Sequence, residues 1–131
     1  MKIWSRLWNR SSDTRKQRKF RYNAPLHIKQ KFMHVHLSPE LKEKYGTKNI
    51  GIRVGDKVKV LRGQFRKRTG RVNKVSLVYE KVYIEGVELV KKEGAKVFYP
   101  VTASNLMITD LNLEDKRRRA KIEKNVKKEK K

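Results

Sequence analysis

The positive charge is spread so unevenly that it limits which part of the chain can fold. Residues 51–115 hold 13 basic and 8 acidic side chains, net +5. Residues 1–50 carry net +10 and residues 116–131 carry net +8. A compact body opposes its own charge through self-repulsion, so the middle is the foldable part and the two ends are basic arms. The corresponding division is 1–49, a basic extension with two short helices; 50–112, a β-rich body; and 113–131, a basic helix and tail. A total of +23 on 131 residues calls for a polyanionic partner. Nucleic acid comes first, because neutralising phosphates releases counterions. Cysteine is absent, which rules out disulfides and thiolate metal sites. No apolar run approaches the ~20 residues of a membrane span, and Lys2 and Arg6 break the start as a secretory signal. The expected setting is cytoplasmic.

Val54 to Val75 organises the body. Val58, Val60 and Leu61 form a strand-like run, Arg62-Gly63 breaks it, and alternation resumes from Gly70 through Val72 and Val75. Two β-branched runs joined by a short Gly-containing segment predict a β-hairpin. Gly63 and Gly70 mark backbone that needs φ > 0 or close approach. The hairpin lifts Arg62, Arg66, Lys67, Arg68 and Arg71 clear of the strands. So many cations on one loop repel each other unless phosphates face them. Gln64, Asn73, Ser104 and Asn105 are candidates for sugar or base edges, and Phe65 for stacking or for packing over the barrel end.

Upstream, Ile3, Trp4, Leu7 and Trp8 fall on one face of a short helix, too short to stand alone; packing onto the body or a neighbouring protein is the expected use. Ser11 or Ser12 can cap a following helix with Asp13 in its first turn. That helix carries Arg15, Lys16, Arg18 and Lys19 toward phosphate and ends at Asn23-Ala24-Pro25. Leu26 to Leu37 holds His27, Lys29, His34 and His36. No carboxylate or Cys completes a metal set there, so contact with phosphate or sugar, or simple packing, is expected and no metal or other cofactor. His34 and His36, two apart, suit one face of a strand. Ser38-Pro39-Glu40 opens a helix that Gly46 closes. Strands are predicted at 57–61, 71–77, 81–85, 95–100 and 106–110, with a core of Val58, Val60, Val72, Val75, Val82, Ile84, Val97, Leu106 and Ile108. Five short strands at this spacing predict a mainly β fold, a small, strongly bent barrel. Asn112 can cap a last helix bearing Lys116, Arg117, Arg118 and Arg119, whose few apolar residues are too sparse to bury it.

Gly55-Asp56, Val58, Val60, Arg62-Gly63, Gly70 and Val72 resemble the KOW motif, a hairpin of SH3-like barrels in ribosomal proteins and transcription elongation factors. At Lys67 the ribosomal versions commonly carry a second glycine, and a φ > 0 there would strain Lys. The likeness extends through Ala24-Pro25 with His27, Leu37-Ser38-Pro39-Glu40-Leu41, Val82-Tyr83-Ile84-Glu85-Gly86-Val87, Ser104-Asn105-Leu106 and Asp115-Lys116-Arg117. From about Ser12 to about Arg119 the chain resembles the archaeal and eukaryotic branch of the universal large-subunit ribosomal protein numbered twenty-four in bacteria and twenty-six in eukaryotes. The family is richer in Pro and His where this chain has Val101 and Ala103, and Met1 to Arg10 has no counterpart in it.

The resemblance implies a non-catalytic protein in the large ribosomal subunit that binds its RNA early in assembly, near the exit of the nascent-chain tunnel. Its partners would be large-subunit ribosomal RNA and neighbouring ribosomal proteins, with no membrane, small-molecule substrate or second copy of itself. A KOW-type elongation or antitermination factor is the alternative, but the chain lacks room for that group's usual extra N-terminal domain. An enzyme is not indicated: Asp13, Asp56 and the acids from Glu80 to Glu93 form no catalytic unit with His or Ser. A membrane-active peptide would need a longer amphipathic face.

Overall fold

The structure is a computed structural model that describes residues 4–8 and 10–129. Helix α1, Thr14–Asn23, begins where the Asp13 carboxylate accepts the Arg15 N–H at 2.9 Å. The cap is thus Asp13, one or two residues past the expected serines, and Ser11 Oγ accepts the Asp13 N–H. A carboxylate in that place satisfies an orphan donor and faces the positive end of the helix dipole. None of α1 is buried. Pro25 stops it, and α2, Leu26–Phe32, starts at once. Both helices are fastened to the body by cations: Arg21 pairs with Glu80, and Lys29 Nζ donates to the Val78 carbonyl at 3.1 Å. Lys29 is buried, a position no apolar pattern announces.

Strand β1, His34–Leu37, shows the alternation its histidines predict, with Val35 and Leu37 buried and His34 and His36 exposed. Helix α3, Pro39–Tyr45, follows the expected signals: Ser38 Oγ accepts the Leu41 N–H, and Gly46 closes it at φ 60°. Beyond it come β2 Asn49–Gly51, β3 Lys57–Val60, β4 Thr69–Ser76, β5 Lys81–Ile84, β6 Glu88–Val90, β7 Lys96–Phe98, β8 Val101–Thr102 and β9 Leu106–Asp110. Seven of the nine strands form one sheet in the order β2-β1-β9-β3-β4-β5-β8. Strand β1 pairs parallel with β9, and the other pairings are antiparallel. A single 3-10 turn at Ala103–Asn105 carries the chain from the β8 edge back to β9 near the middle. The sheet therefore bends around its own core of Val35, Leu37, Val58, Val60, Val72, Val82, Ile84, Leu106 and Ile108.

The fold mixes helix and sheet, with a seven-stranded sheet where five strands were expected, and its bent, barrel-like middle is compatible with the mainly β body the sequence predicts. The stretch expected at 95–100 is not a barrel strand: β7 pairs with β6 in a separate ribbon. Val97 is 43% exposed there, and Val87 is fully buried in the core. Strands β2, β6 and β8 escaped the sequence reading because they span three, three and two residues, too short for a periodic signal.

The hairpin β3–β4 has the predicted form, with a backbone departure at its tip. Val60 N–H donates to the Arg68 carbonyl at 2.8 Å, and Lys67 N–H returns to the Val60 carbonyl at 2.9 Å. Gly63 stands at φ 95° and Lys67 at φ 73°. Lys67 thus adopts a left-handed conformation that favours glycine, and the loop closes around it. Gly70 serves close approach: a Cβ there would lie 2.2 Å from the Glu85 carbonyl oxygen.

Helix α4, Lys116–Glu129, departs most from expectation, because it is anchored. Its cap is Asp115, which accepts the Arg117 N–H at 2.8 Å; Asn112 Oδ1 instead accepts the Glu114 N–H. The Asp115 carboxyl is held below its usual range, first by the Arg53 guanidinium that hydrogen-bonds it, then by that N–H. With its folded pKa depressed, Asp115 stabilises the fold above its unfolded value, and the contribution is lost as pH falls through the folded one. Arg118 and Ile122, four apart on one helix face, are buried. Arg118 grips Asp56 with both terminal nitrogens, at 2.6 and 2.8 Å. The two are 5% and 0% exposed.

Breaking a buried pair from one side strands the other charge, at a cost of about 3–5 kcal/mol. Arg118→Met should lose that much stability in urea unfolding followed by circular dichroism. Arg117→Met and Arg119→Met should each stay within about 0.5 kcal/mol of the parent. Lys67→Gly should raise stability by about 0.5–1 kcal/mol in the same assay, the relief of left-handed strain exceeding the entropy that glycine adds to the unfolded chain.

Candidate nucleic-acid interface

The hairpin tip is stiffened before it meets any ligand. Within the strand-closing bonds, the Arg66 N–H donates to the Gly63 carbonyl and the Arg68 N–H to the Phe65 carbonyl, both at 3.1 Å. These two tight turns point Phe65 inward, where it is 8% exposed and its ring lies 5.1 Å from that of Tyr99. Of the two uses open to Phe65, packing is the one realised. The Arg68 guanidinium covers the ring at 5.1 Å and donates to the Gly86 carbonyl at 2.9 Å. Arg68 is therefore held in place although its side chain is exposed. With the ring turned in, Arg62, Gln64, Arg66 and Lys67 all face solvent.

The 3-10 turn comes to lie beside this tip because Leu61 N–H donates to the Asn105 carbonyl at 2.8 Å. Arg62, Gln64 and Asn105 line one small cleft together with Lys81 and Thr102. Ser104 is exposed next to it. Lys81 Nζ donates to Thr102 Oγ1 at 3.0 Å, which fixes a cation on the cleft floor. Lys81 was missed in the sequence because it opens β5, far from the loop in number. Not every expected loop residue gathers here. Arg71 faces Lys57 across the hairpin and lines a separate hollow with Asp110 and Asn112. Asn73 is the extra residue where the β4–β5 register shifts, and it is exposed. A bulge re-aims such a side chain.

A second cationic cluster lies across the body. His27 and Lys31 of α2, His34 of β1, Arg53, and Arg117 and Lys121 of α4 line a groove floored by Met33, Ile52 and Val75. The sequence reading contains His27, His34 and Arg117 of this set. It lacks Lys31, Arg53 and Lys121, although Lys121 is four residues beyond Arg117 and so shares its helix face. Arg118 and Lys29, both expected at an RNA surface, lie instead inside the fold as anchors. Arg118 nonetheless lines the wall of the groove beside Arg117 and Lys121. Lys116 and Arg119 stay exposed, the latter donating to the Leu113 carbonyl. Arg15, Lys16, Arg18 and Lys19 are all exposed along α1, as is His36 beyond the groove. Among the described residues no three His, Cys, Asp or Glu side chains converge as a metal site requires.

Geometry of this kind can do one thing chemically. It presents fixed guanidinium and ammonium groups, with a few amides and hydroxyls among them, to a chain of phosphates. Comparison with known proteins gives the arrangement its lineage. Residues 11–125 match the family described as eukaryotic ribosomal protein L26 and its archaeal counterpart, numbered twenty-four. The large ribosomal subunit protein uL24 of Methanosarcina barkeri is 46% identical over 114 residues, covering 87% of this chain and 98% of the relative. With a family match over most of its length and a relative of this identity, the chain belongs to the ribosomal protein family that joins eukaryotic L26 to its archaeal counterpart.

Proposed function

We propose that this protein is a structural constituent of the large ribosomal subunit that binds the subunit's RNA through the β3–β4 tip and its basic flanks. The observation that carries the reading is the tip itself. Arg62, Gln64, Arg66 and Lys67 are exposed on a loop closed by backbone bonds, with Asn105 brought alongside. A preformed cationic tip gives up little conformational entropy on binding. Phosphate contacts position such a protein, and the few amides and hydroxyls supply what base or sugar recognition there is. Because the A-form major groove is too narrow for side chains, phosphates, 2′-hydroxyls and splayed bases are the contacts to expect.

The five strands β9-β3-β4-β5-β8, with the 3-10 turn between β8 and β9, support reading the body as an SH3-like barrel carrying a KOW hairpin. On that reading residues 50–112 are the barrel, and 1–49 and 113–131 are flanking RNA-binding segments that dock on it. The groove of Lys31, His34, Arg53 and Lys121 is then the seam where both flanks meet a second stretch of backbone. Binding early in assembly and a place near the nascent-chain exit rest on the family resemblance over Ser12 to Arg119. Membership of a ribosomal family favours this machine over an elongation complex sharing the same hairpin.

Filter binding of the full chain to transcribed large-subunit and small-subunit ribosomal RNA, across roughly 50 to 200 mM salt, tests the proposal. Preference for the large-subunit RNA that persists at the upper end supports it; equal retention of both would overturn it. Arg62→Gln with Arg66→Gln should weaken binding and reduce the log–log salt slope by about one unit per lost phosphate contact. The unfolding midpoint should not move, since neither side chain is buried.

A further inference from the structure

Residues 4–8 precede the family match, which begins at residue 11, and they build a site of their own on α1. Trp4 stacks obliquely on Phe20, with ring centroids 4.9 Å apart, and its indole N–H donates to the Phe20 carbonyl at 3.0 Å. That bond satisfies the ring's polar atom and fixes its orientation. A turn closed by Trp8 N–H on the Ser5 carbonyl brings Trp8 to 6.2 Å from the same Phe20 ring. Trp8 nonetheless remains 45% exposed. Lys16, Lys19 and Asn23, at positions i, i+3 and i+7 of α1, line the groove with the three aromatic rings.

We propose that this groove is a stacking site for an unpaired RNA base, Trp8 supplying the platform and Lys16 and Lys19 receiving the flanking phosphates. The proposal rests on the RNA-binding reading above and adds a site to it. A trio serving only as a small core would close over Trp8. An apolar protein partner is disfavoured by the Lys16 and Lys19 rim, because lysine is depleted at protein interfaces. Bases of any identity offer a π face, so aromatic platforms beside cations suit single strands. Asn23 adds an amide able to donate and accept at a base edge.

The chain contains two tryptophans, both at this site, so indole emission from the full-length protein reports on the groove. A short single-stranded oligoribonucleotide should quench that emission, while inorganic polyphosphate, which offers charge without bases, should bind without quenching. Trp8→Leu, followed through the remaining indole of Trp4, should weaken the oligonucleotide's quenching affinity by roughly 5- to 150-fold. Trp8→Phe should restore most of it, with helix content unchanged in both. Equal quenching by polyphosphate would overturn the proposal, as would unaltered affinity in Trp8→Leu. So would emission that responds to RNA-free ribosomal proteins and not to the oligonucleotide, which would assign the groove to a protein partner. Fluorescence anisotropy of the labelled oligonucleotide separates the two readings. Binding without quenching removes the stacking site and leaves the RNA-binding function standing; absence of binding by either readout removes both.

Discussion

One buried carboxylate ties the last helix to the body of the fold. Asp56 has no solvent exposure, and each of its oxygens accepts two hydrogen bonds. Oδ1 takes the Arg118 guanidinium at 2.6 Å and the Asn112 N–H at 2.9 Å. Oδ2 takes the other guanidinium nitrogen at 2.8 Å and the Arg53 N–H at 2.9 Å. Arg118 donates further to the Gly51 and Asn112 carbonyls. The pair thus joins β2, the turn before β3, the end of β9 and the last helix. Removing two charges from water is costly, and only near-complete hydrogen bonding offsets it. The planar fork of arginine matches a carboxylate at two points, and a lysine would not.

Around that pair the excess of cations is sorted into two jobs. Arg21, Lys29 and Arg118 turn inward or across the surface and hold the flanking helices to the body through Glu80, the Val78 carbonyl and Asp56. Others line the tip, the seam groove and the exposed face of α1. Helices α1 and α4 gain little from apolar burial: α1 has no buried residue, and Ile122 is the core contact among the described side chains of α4. They are placed largely by polar bonds, which specify direction more sharply than hydrophobic contact does. That is how a strongly basic chain can offer its charge as a fixed surface.

Much of the body was legible because its signals are local. The β3–β4 hairpin, the β1 alternation and α3 with both of its caps each announce themselves within a few residues. The tip cations were legible for the same reason. Three kinds of feature were hidden. Strands of two or three residues carry no period, so β2 and β8 gave none. A buried cation looks like its exposed neighbours, so Arg118 could not be told from Arg117 or Arg119 without knowing that Asp56 faces it. Val97 alternates like a core residue but lies in a ribbon that leaves the barrel. The grouping of Lys81 with Arg62, and of Arg53 with His27, is a property of topology and is written in no single stretch.

The reach of the Asp56–Arg118 bond along the chain, 62 residues, has a consequence for how the protein comes into being. On a growing chain the body's strands are made while Asp56 still lacks its guanidinium. The inner strand β9 is also the sheet's last in sequence, so neither the parallel pairing with β1 nor the pairing with β3 exists until residues 106–110 have been made. Contacts that span most of the sequence form late and slow the search for the native state. Until then the chain is a long cationic polymer with an unfinished core. The order of synthesis therefore exposes a cationic chain to polyanions before it has its final shape.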